Sequence, residues 1–385
     1  MRLGVSMRVL LVAVGVLSCQ AQNSVRGSAK GGGNHIKCNT HLQRSSNYDL
    51  VSSPVVLSVA GAVPTGGDIS LEVAYDTERQ RAFVTNSVSN SVSVLDVSDS
   101  TNPTVMAIYT NNEDMVSPSG IAFDSCEERL FVSCSGGTLV VLDVSDSSPA
   151  LVSVTALEGK PERLAFDEHR QLVYVVAFSD LLGPDYLYTV DVRTTKHLSP
   201  SVLGRYVTED GCGPYGVEYD SRHQRLFIAC NVGNSMEIVD VREPAVANIL
   251  GKFSSSNPYN GIVYDQSHNR VFLSSFDQSF VVSVDVSNSA APFELSKVAD
   301  SDQLLTGAGL AFDAYHNVVF AAGRNSNSII AIDVTDPLVM SIVSSVASAD
   351  DLGRANGLAY DPHSGLLLAV GLSGKLATVD TTAKN

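Results

Sequence analysis

The chain has 385 residues, 44% hydrophobic and 17% charged, with a formal net charge of −16, 6 Cys and no Trp. That length supports one large β domain or two smaller ones, and the hydrophobic content excludes a disordered chain. The acid excess, with no Lys/Arg-rich run anywhere, excludes nucleic acid and anionic membrane as partners, because both require a basic footprint.

Residues 1–21 read as a signal peptide. Arg2 and Arg8 form the basic start, Val9 to Leu17 is an apolar run, and Ser18-Cys19-Gln20-Ala21 offers cleavage after Ala21. The run is too short to span a bilayer. A competing reading makes Cys19 a lipidated residue, but Leu17 stands where such motifs carry a small or β-branched side chain. No later stretch is long and apolar enough for a membrane helix, so the expectation is a secreted, extracellular protein. Residues 22–50 are polar, Gly/Ser-rich and aperiodic, and read as a flexible leader.

Residues 51–385 repeat. An apolar-Tyr/Phe-Asp ending recurs seven times, at Asp76, Asp124, Asp167, Asp220, Asp265, Asp313 and Asp361, 43 to 53 residues apart. After a short polar turn comes a second strand-like run, such as RAFVTN, RLFVSC or RLFIAC. A third run ends in an Asp at positions 96, 143, 191, 240, 285, 333 and 380. A Ser/Asp/Pro turn then leads to a fourth run, such as Pro103 to Tyr109. Four short strands per 40 to 50 residues mark a propeller blade, so the fold class is all-β, a seven-bladed β-propeller. The last copy lacks its fourth strand, while residues 54–60 read like a fourth-strand segment. The ring should therefore close by pairing about 54–60 with the C-terminal blade, which removes an exposed sheet edge. In the first strand the residues one and three before the repeat Asp are bulky and the others mostly small. Alternation then sets a bulky face of each blade against a small face of its neighbour.

The run Ala82-Phe83-Val84-Thr85-Asn86-Ser87, continuing to Ser91-Val92-Ser93-Val94-Leu95-Asp96, resembles the YVTN-repeat β-propellers. The turns beginning Asp96-Val97-Ser98-Asp99, Asp143-Val144-Ser145-Asp146, Asp285-Val286-Ser287-Asn288 and Asp333-Val334-Thr335-Asp336 resemble LVIVD-type repeats of secreted or surface proteins. The resemblance spans about residues 54–382 and implies fold and extracellular placement. It carries no defined catalytic residue.

The repeat Asp residues read as turn formers that bond backbone two residues on. His169, His223, His268, His316 and His363 follow them as solvated turn residues on one face, too far apart for a shared zinc. Five Cys remain after signal removal. Cys212 and Cys230 fall at the same end of adjacent strands and are expected to form a disulfide; Cys134 and Cys38 are the expected free or intermolecular thiols. Standard catalytic signatures are absent.

Loops leading into first strands and loops between second and third strands should share one face of the disc. Around the central mouth they place Asp68, Glu72, Ser119, Lys160, Glu162, Arg163, Tyr215, Glu218, Asn260 and Asn356. Farther out lie Asn86, Asn90, Asn231, Asn234, Asp277, Arg324, Asn325, Asn327 and the insertion 178–186. The ligand-binding set expected from this rim is Glu162, Arg163, Tyr215, Asn260, Asn356, Asn231 and Arg324. Glu72, Arg163 and Glu218 break a Gly/Ala rule at small inward positions. One reading makes Glu72 and Glu218, with Asn260 or Asn356, oxygen ligands for calcium or magnesium. That pattern is similar in kind to gluconolactonase and regucalcin propellers, although their ligand order is not evident here. The other reading pairs Arg163 with Glu218 across adjacent blades, leaves Glu72 solvated and needs no cofactor. The leading function is a non-enzymatic scaffold for an extracellular protein or glycan. The alternatives are a metal-assisted lactonase-like hydrolase and a matrix protein assembled through the leader and a free Cys.

Overall fold

The computed structural model describes residues 55–179, 183–193, 200–208 and 211–382. The signal segment, the leader and Cys38 lie outside them. The described chain forms seven four-stranded antiparallel sheets, and six of them take four consecutive strands in chain order. The first strands of blades 1 to 7 are Ser70–Asp76, Pro118–Asp124, Lys160–Asp167, Pro214–Asp220, Tyr259–Asp265, Gly307–Asp313 and Ala355–Asp361. Each lies against the first strand of the next blade, and that of blade 7 lies against that of blade 1. The chain is a seven-bladed β-propeller.

Closure uses the N-terminal strand as expected, but the strand is longer, Val55–Pro64. It pairs antiparallel with Lys375–Thr382, from Val55 opposite Thr382 to Pro64 opposite Lys375, with two register irregularities. Extra pairing at the seam of a closed ring removes an otherwise open edge.

Seven hydrophobic clusters occupy the seven blade interfaces. The aromatic residue just before the repeat Asp packs on the second-strand aromatic of the preceding blade. The pairs are Phe83–Phe123, Phe131–Phe166, Tyr174–Tyr219, Phe227–Tyr264, Phe272–Phe312 and Phe320–Tyr360, with centroids 4.8 to 5.8 Å apart. At the seventh interface Leu368 takes the second-strand place and shares a cluster with Tyr75.

The repeat Asp does more than form turns. Its Oδ1 accepts backbone N–H groups two and three residues on, as Asp76 does from Glu78 and Arg79. Its Oδ2 pairs with an Arg, buried in four blades and half-buried in the third: Asp76–Arg81 at 2.8 Å, Asp124–Arg129 at 2.9 Å, Asp167–Arg170 at 2.6 Å, Asp220–Arg225 at 2.9 Å and Asp265–Arg270 at 2.8 Å. In each case Nη1 then donates to a backbone carbonyl of the next blade, that of Val144, Val192, Val241, Val286 or Val334. Blade 6 has no such Arg, and there the Tyr360 hydroxyl donates to Asp313 at 2.7 Å. His223, His268 and His316 join the same Asp residues through Nδ1 at 2.6 to 2.7 Å. They are thus anchored to the turn rather than merely solvated.

Cys212 and Cys230 form a disulfide with Cα atoms 4.7 Å apart. Cys126 is disulfide-bonded as well, and Cys134 is a buried free thiol.

Removing one partner of a buried ion pair leaves the other charge uncompensated and costs about 3–5 kcal/mol. Arg81→Met should therefore lower the unfolding free energy by about 3 kcal/mol in a denaturant titration. Arg193→Ala, which breaks an exposed pair with Asp191, should leave the midpoint unchanged.

Candidate functional site

The residue just before a first strand is left-handed in six of the seven blades: Ile69, Ser117, Gly159, Gly213, Thr306 and Arg354. A positive φ at Ile69 and Thr306 strains a β-branched residue. The carbonyl at this place accepts an N–H from the residue just after the second strand, which fixes Ser87, Ser135, Asn231, Phe276, Arg324 and Leu372 around the mouth. Six of the seven blades thus present one variable side chain from a rigid backbone position.

Two adjoining cavities open at this mouth. The axial one, about 170 Å³, is ringed by seven aliphatic residues three before the repeat Asp: Val73, Ile121, Leu164, Val217, Ile262, Leu310 and Leu358. They are 5 to 9% exposed and also belong to the inter-blade clusters. Their place is therefore double: blade packing, as expected, and an apolar girdle around the channel. Glu72, Arg163, Tyr215, Glu218, Asn260 and Asn356 line the same cavity. The second cavity, about 310 Å³, is lined by Glu162, Phe178, Tyr215, Asn231, Val232, Asn260, Phe276 and Arg324 among others. All nine rim and metal candidates from the sequence lie on these two cavities, which share Tyr215 and Asn260.

The pairing inside the channel differs from both sequence readings. Arg163 bonds Glu72, not Glu218, with Nη1 2.7 Å from Oε2. The same guanidinium donates to the Ser119 carbonyl at 2.8 Å, and to the Leu71 carbonyl and Tyr215 hydroxyl at 3.4 Å. Its Cζ lies 5.0 Å from the Tyr215 ring centroid. Arg163 therefore links blades 1 to 4. The reach is possible because blade 2 has Gly120 where blades 1 and 3 have Glu72 and Arg163. A Cβ on Gly120 would come within 2.9 Å of the Arg163 Cα. Burial works against the Arg163 charge, but Glu72 holds its pKa above the usual value. Burial raises the Glu72 carboxyl, and Arg163 opposes that rise.

Glu218 has no such cation. Removal from bulk water, and then the Glu72 charge, push its carboxyl up to about 8. Burial also raises Glu162, while the Ser119 hydroxyl opposes this by donating to its Oε2 at 2.9 Å. Arg324 is lowered by desolvation, its largest influence. It donates through Nη2 to Asn356 Oδ1 and stacks over Phe276 at 5.4 Å.

These contacts decide the fit to a divalent ion. Glu72 is ion-paired and Glu218 is neutral below about pH 8. Asn260 Oδ1 accepts from Asn231 at 3.2 Å, and Asn356 Oδ1 accepts from Arg324. Three of the four candidate oxygen donors, Glu72, Asn260 Oδ1 and Asn356 Oδ1, are thus already held by protein donors, so the channel presents no preformed set of free oxygens for calcium or magnesium.

Other rim candidates are structural. Asn86 is buried, accepting from Thr65 and Ser70 and donating to Ser91 and Ser93. Asn90, Asn234 and Asn327 are left-handed turn residues. Phe276 escaped the sequence reading, although its place directly after the second strand, shared with Asn231 and Arg324, marks it in the repeat. The Cys212–Cys230 bond and a 2.7 Å bond from Gly213 N–H to Asp185 Oδ2 pin the loop that delivers Tyr215.

No family model and no curated protein matches the chain. Solved structures do, among them the β-propeller domain of Myceliophteria thermophila Cps50 (Swd1). It aligns with a TM-score of 0.66 at 14% identity, over 85% of this chain and all of that domain. That likeness is one of fold, and the class defined here is a seven-bladed β-propeller with a polar, partly aromatic mouth.

A carboxyl whose pKa is higher folded than unfolded destabilises the native state as pH rises from the unfolded value, 4.5, to the folded one, about 8. Glu218→Gln removes that penalty. The variant should match wild type below pH 4.5 and exceed it by about 2 kcal/mol above pH 8, a figure discounted from the full shift for channel water. Thermal unfolding from pH 4 to 9 reads the difference.

Proposed function

We propose that this chain is a secreted, non-enzymatic binding scaffold that takes an extracellular protein or glycan on the loop face around its channel mouth. The observation that carries the reading is the 310 Å³ cavity beside the channel, where Phe178, Tyr215 and Phe276 supply apolar walls and Glu162, Asn231, Asn260 and Arg324 supply polar groups. Concave, aromatic-walled cavities with a few placed polar groups are what ligand recognition uses, and residues on loops held by a rigid frame are its usual carriers. The signal-like segment 1–21 supports secretion. The YVTN- and LVIVD-like repeats support the same placement. A lactonase-like hydrolase would need the channel oxygens for a metal ion, and those of Glu72, Asn260 and Asn356 are engaged with protein donors. A binding role uses them as they stand.

The test compares three proteins on immobilised glycans and extracellular proteins: wild type, a mouth variant Tyr215→Ala/Asn231→Ala, and a variant of the opposite face, Asp99→Asn/Asp146→Asn. Captured ligand should bind the mouth variant at least tenfold more weakly and the opposite-face variant unchanged. Equal binding by wild type and mouth variant, or lactone turnover lost on chelation and restored by calcium, would overturn the reading.

A further inference from the structure

Five arginines in the inter-blade bridges, and Arg163 in the channel, each face a carboxylate within 3.0 Å. Arg324, on the cavity beside the channel, has no such partner among the described residues. Its neighbours are the Asn356 amide, the Tyr215 hydroxyl and the Phe276 ring, and the nearby charges acting on it are the cations Arg163 and Arg354. Among the described residues no carboxylate pairs with it, and its Nε is buried without a partner. A half-buried guanidinium without a counter-charge is unfavourable, and a buried polar group left unsatisfied calls for an explanation in function or solvent. In a chain of net charge −16, acidic side chains to neutralise it were plentiful. The pocket instead keeps the cation open to what enters.

We infer that Arg324 is the carboxylate-recognition group of this pocket and that the ligand it takes is an acidic sugar of the uronic type. This rests on the binding-scaffold reading and names its ligand class. Arginine matches a carboxylate with two parallel N–H donors. The rest of the pocket matches a hydroxylated ring. Asn231 Nδ2 donates to Asn260 Oδ1, which leaves Asn231 Oδ1 as acceptor and Asn260 Nδ2 as donor toward the ligand. Phe276 and Tyr215, each covered on one side by Arg324 or Arg163, line the cavity with apolar ring surface for its C–H groups. Glu162, on the same cavity, accepts hydroxyls and repels a second negative charge, which selects one carboxylate over a sulfate- or phosphate-rich polyanion.

The full secreted chain is titrated by calorimetry with methyl glucuronoside, methyl glucoside, a uronic acid tetrasaccharide and an acetylated Asp dipeptide. The uronoside should bind at least tenfold more tightly than the glucoside. Arg324→Gln should remove that preference and Arg324→Lys should keep part of it, with circular dichroism showing both folded. Equal affinity for monosaccharide and tetrasaccharide marks a free or terminal acid, and a tighter tetrasaccharide marks a chain; either agrees with the inference. No preference for the acid, a preference that survives Arg324→Gln, or tighter binding of the dipeptide overturns it. Capture of another ligand that Tyr215→Ala/Asn231→Ala weakens would then leave the scaffold reading standing. Loss of both results removes both.

Discussion

The blade-to-blade bridge is the contact on which the rest of this molecule depends. A β-propeller buries large inter-blade surfaces of interchangeable aliphatic and aromatic groups, and such surfaces alone do not specify angle or register. The repeat Asp, its Arg and the carbonyl of the next blade supply direction. The Arg binds a carboxylate in its own turn and a backbone oxygen in its neighbour's, so the distance between the two is set by one planar group. The same guanidinium lies over the aromatic ring of its own second strand at 5.0 to 5.4 Å in blades 1, 2, 4 and 5, which joins the polar bridge to the apolar cluster. Where blade 6 lacks the Arg, Tyr360 reaches back to Asp313 and keeps the link by another donor.

A rigid ring of this kind frees its mouth for departures from the repeat. First strands approach so closely that Gly261 and Gly309 leave only 2.1 and 2.3 Å between a built Cβ and a neighbouring carbonyl. Bulky residues at the equivalent positions in blades 1 and 3 can be held only by leaning into the axis, and Glu72 and Arg163 do so by pairing with each other. Their pairing leaves Glu218 without a cation in an aliphatic girdle, and the girdle's low polarity is what keeps that carboxyl protonated. The site is thus a by-product of where the small-residue rule is broken, and its chemistry follows from which broken positions find each other.

Much of this was readable before any coordinates. Seven repeat Asp residues, the strand count per unit and the missing last strand determined the architecture, because turn chemistry and period-two alternation are local properties of the chain. The rim residues were legible too, since Glu72, Arg163, Tyr215, Arg324 and the rim asparagines stand out against a regular background. The same background concealed other roles: Arg81, Arg129, Arg225 and Arg270 recur in the second run yet act between blades, and Asn86 looks like a surface loop residue yet is fully buried.

The sequence by itself determined the fold, the closure of the ring and the list of residues at its mouth, because each depends on patterns a few residues long. Only the tertiary structure decided that Arg163 pairs with Glu72 across an intervening blade, that burial pushes the Glu218 carboxyl up, and that no carboxylate among the described residues pairs with Arg324. Those outcomes depend on distances between residues some 30 to 160 positions apart. Such distances exist only once the ring has closed and its water has been excluded.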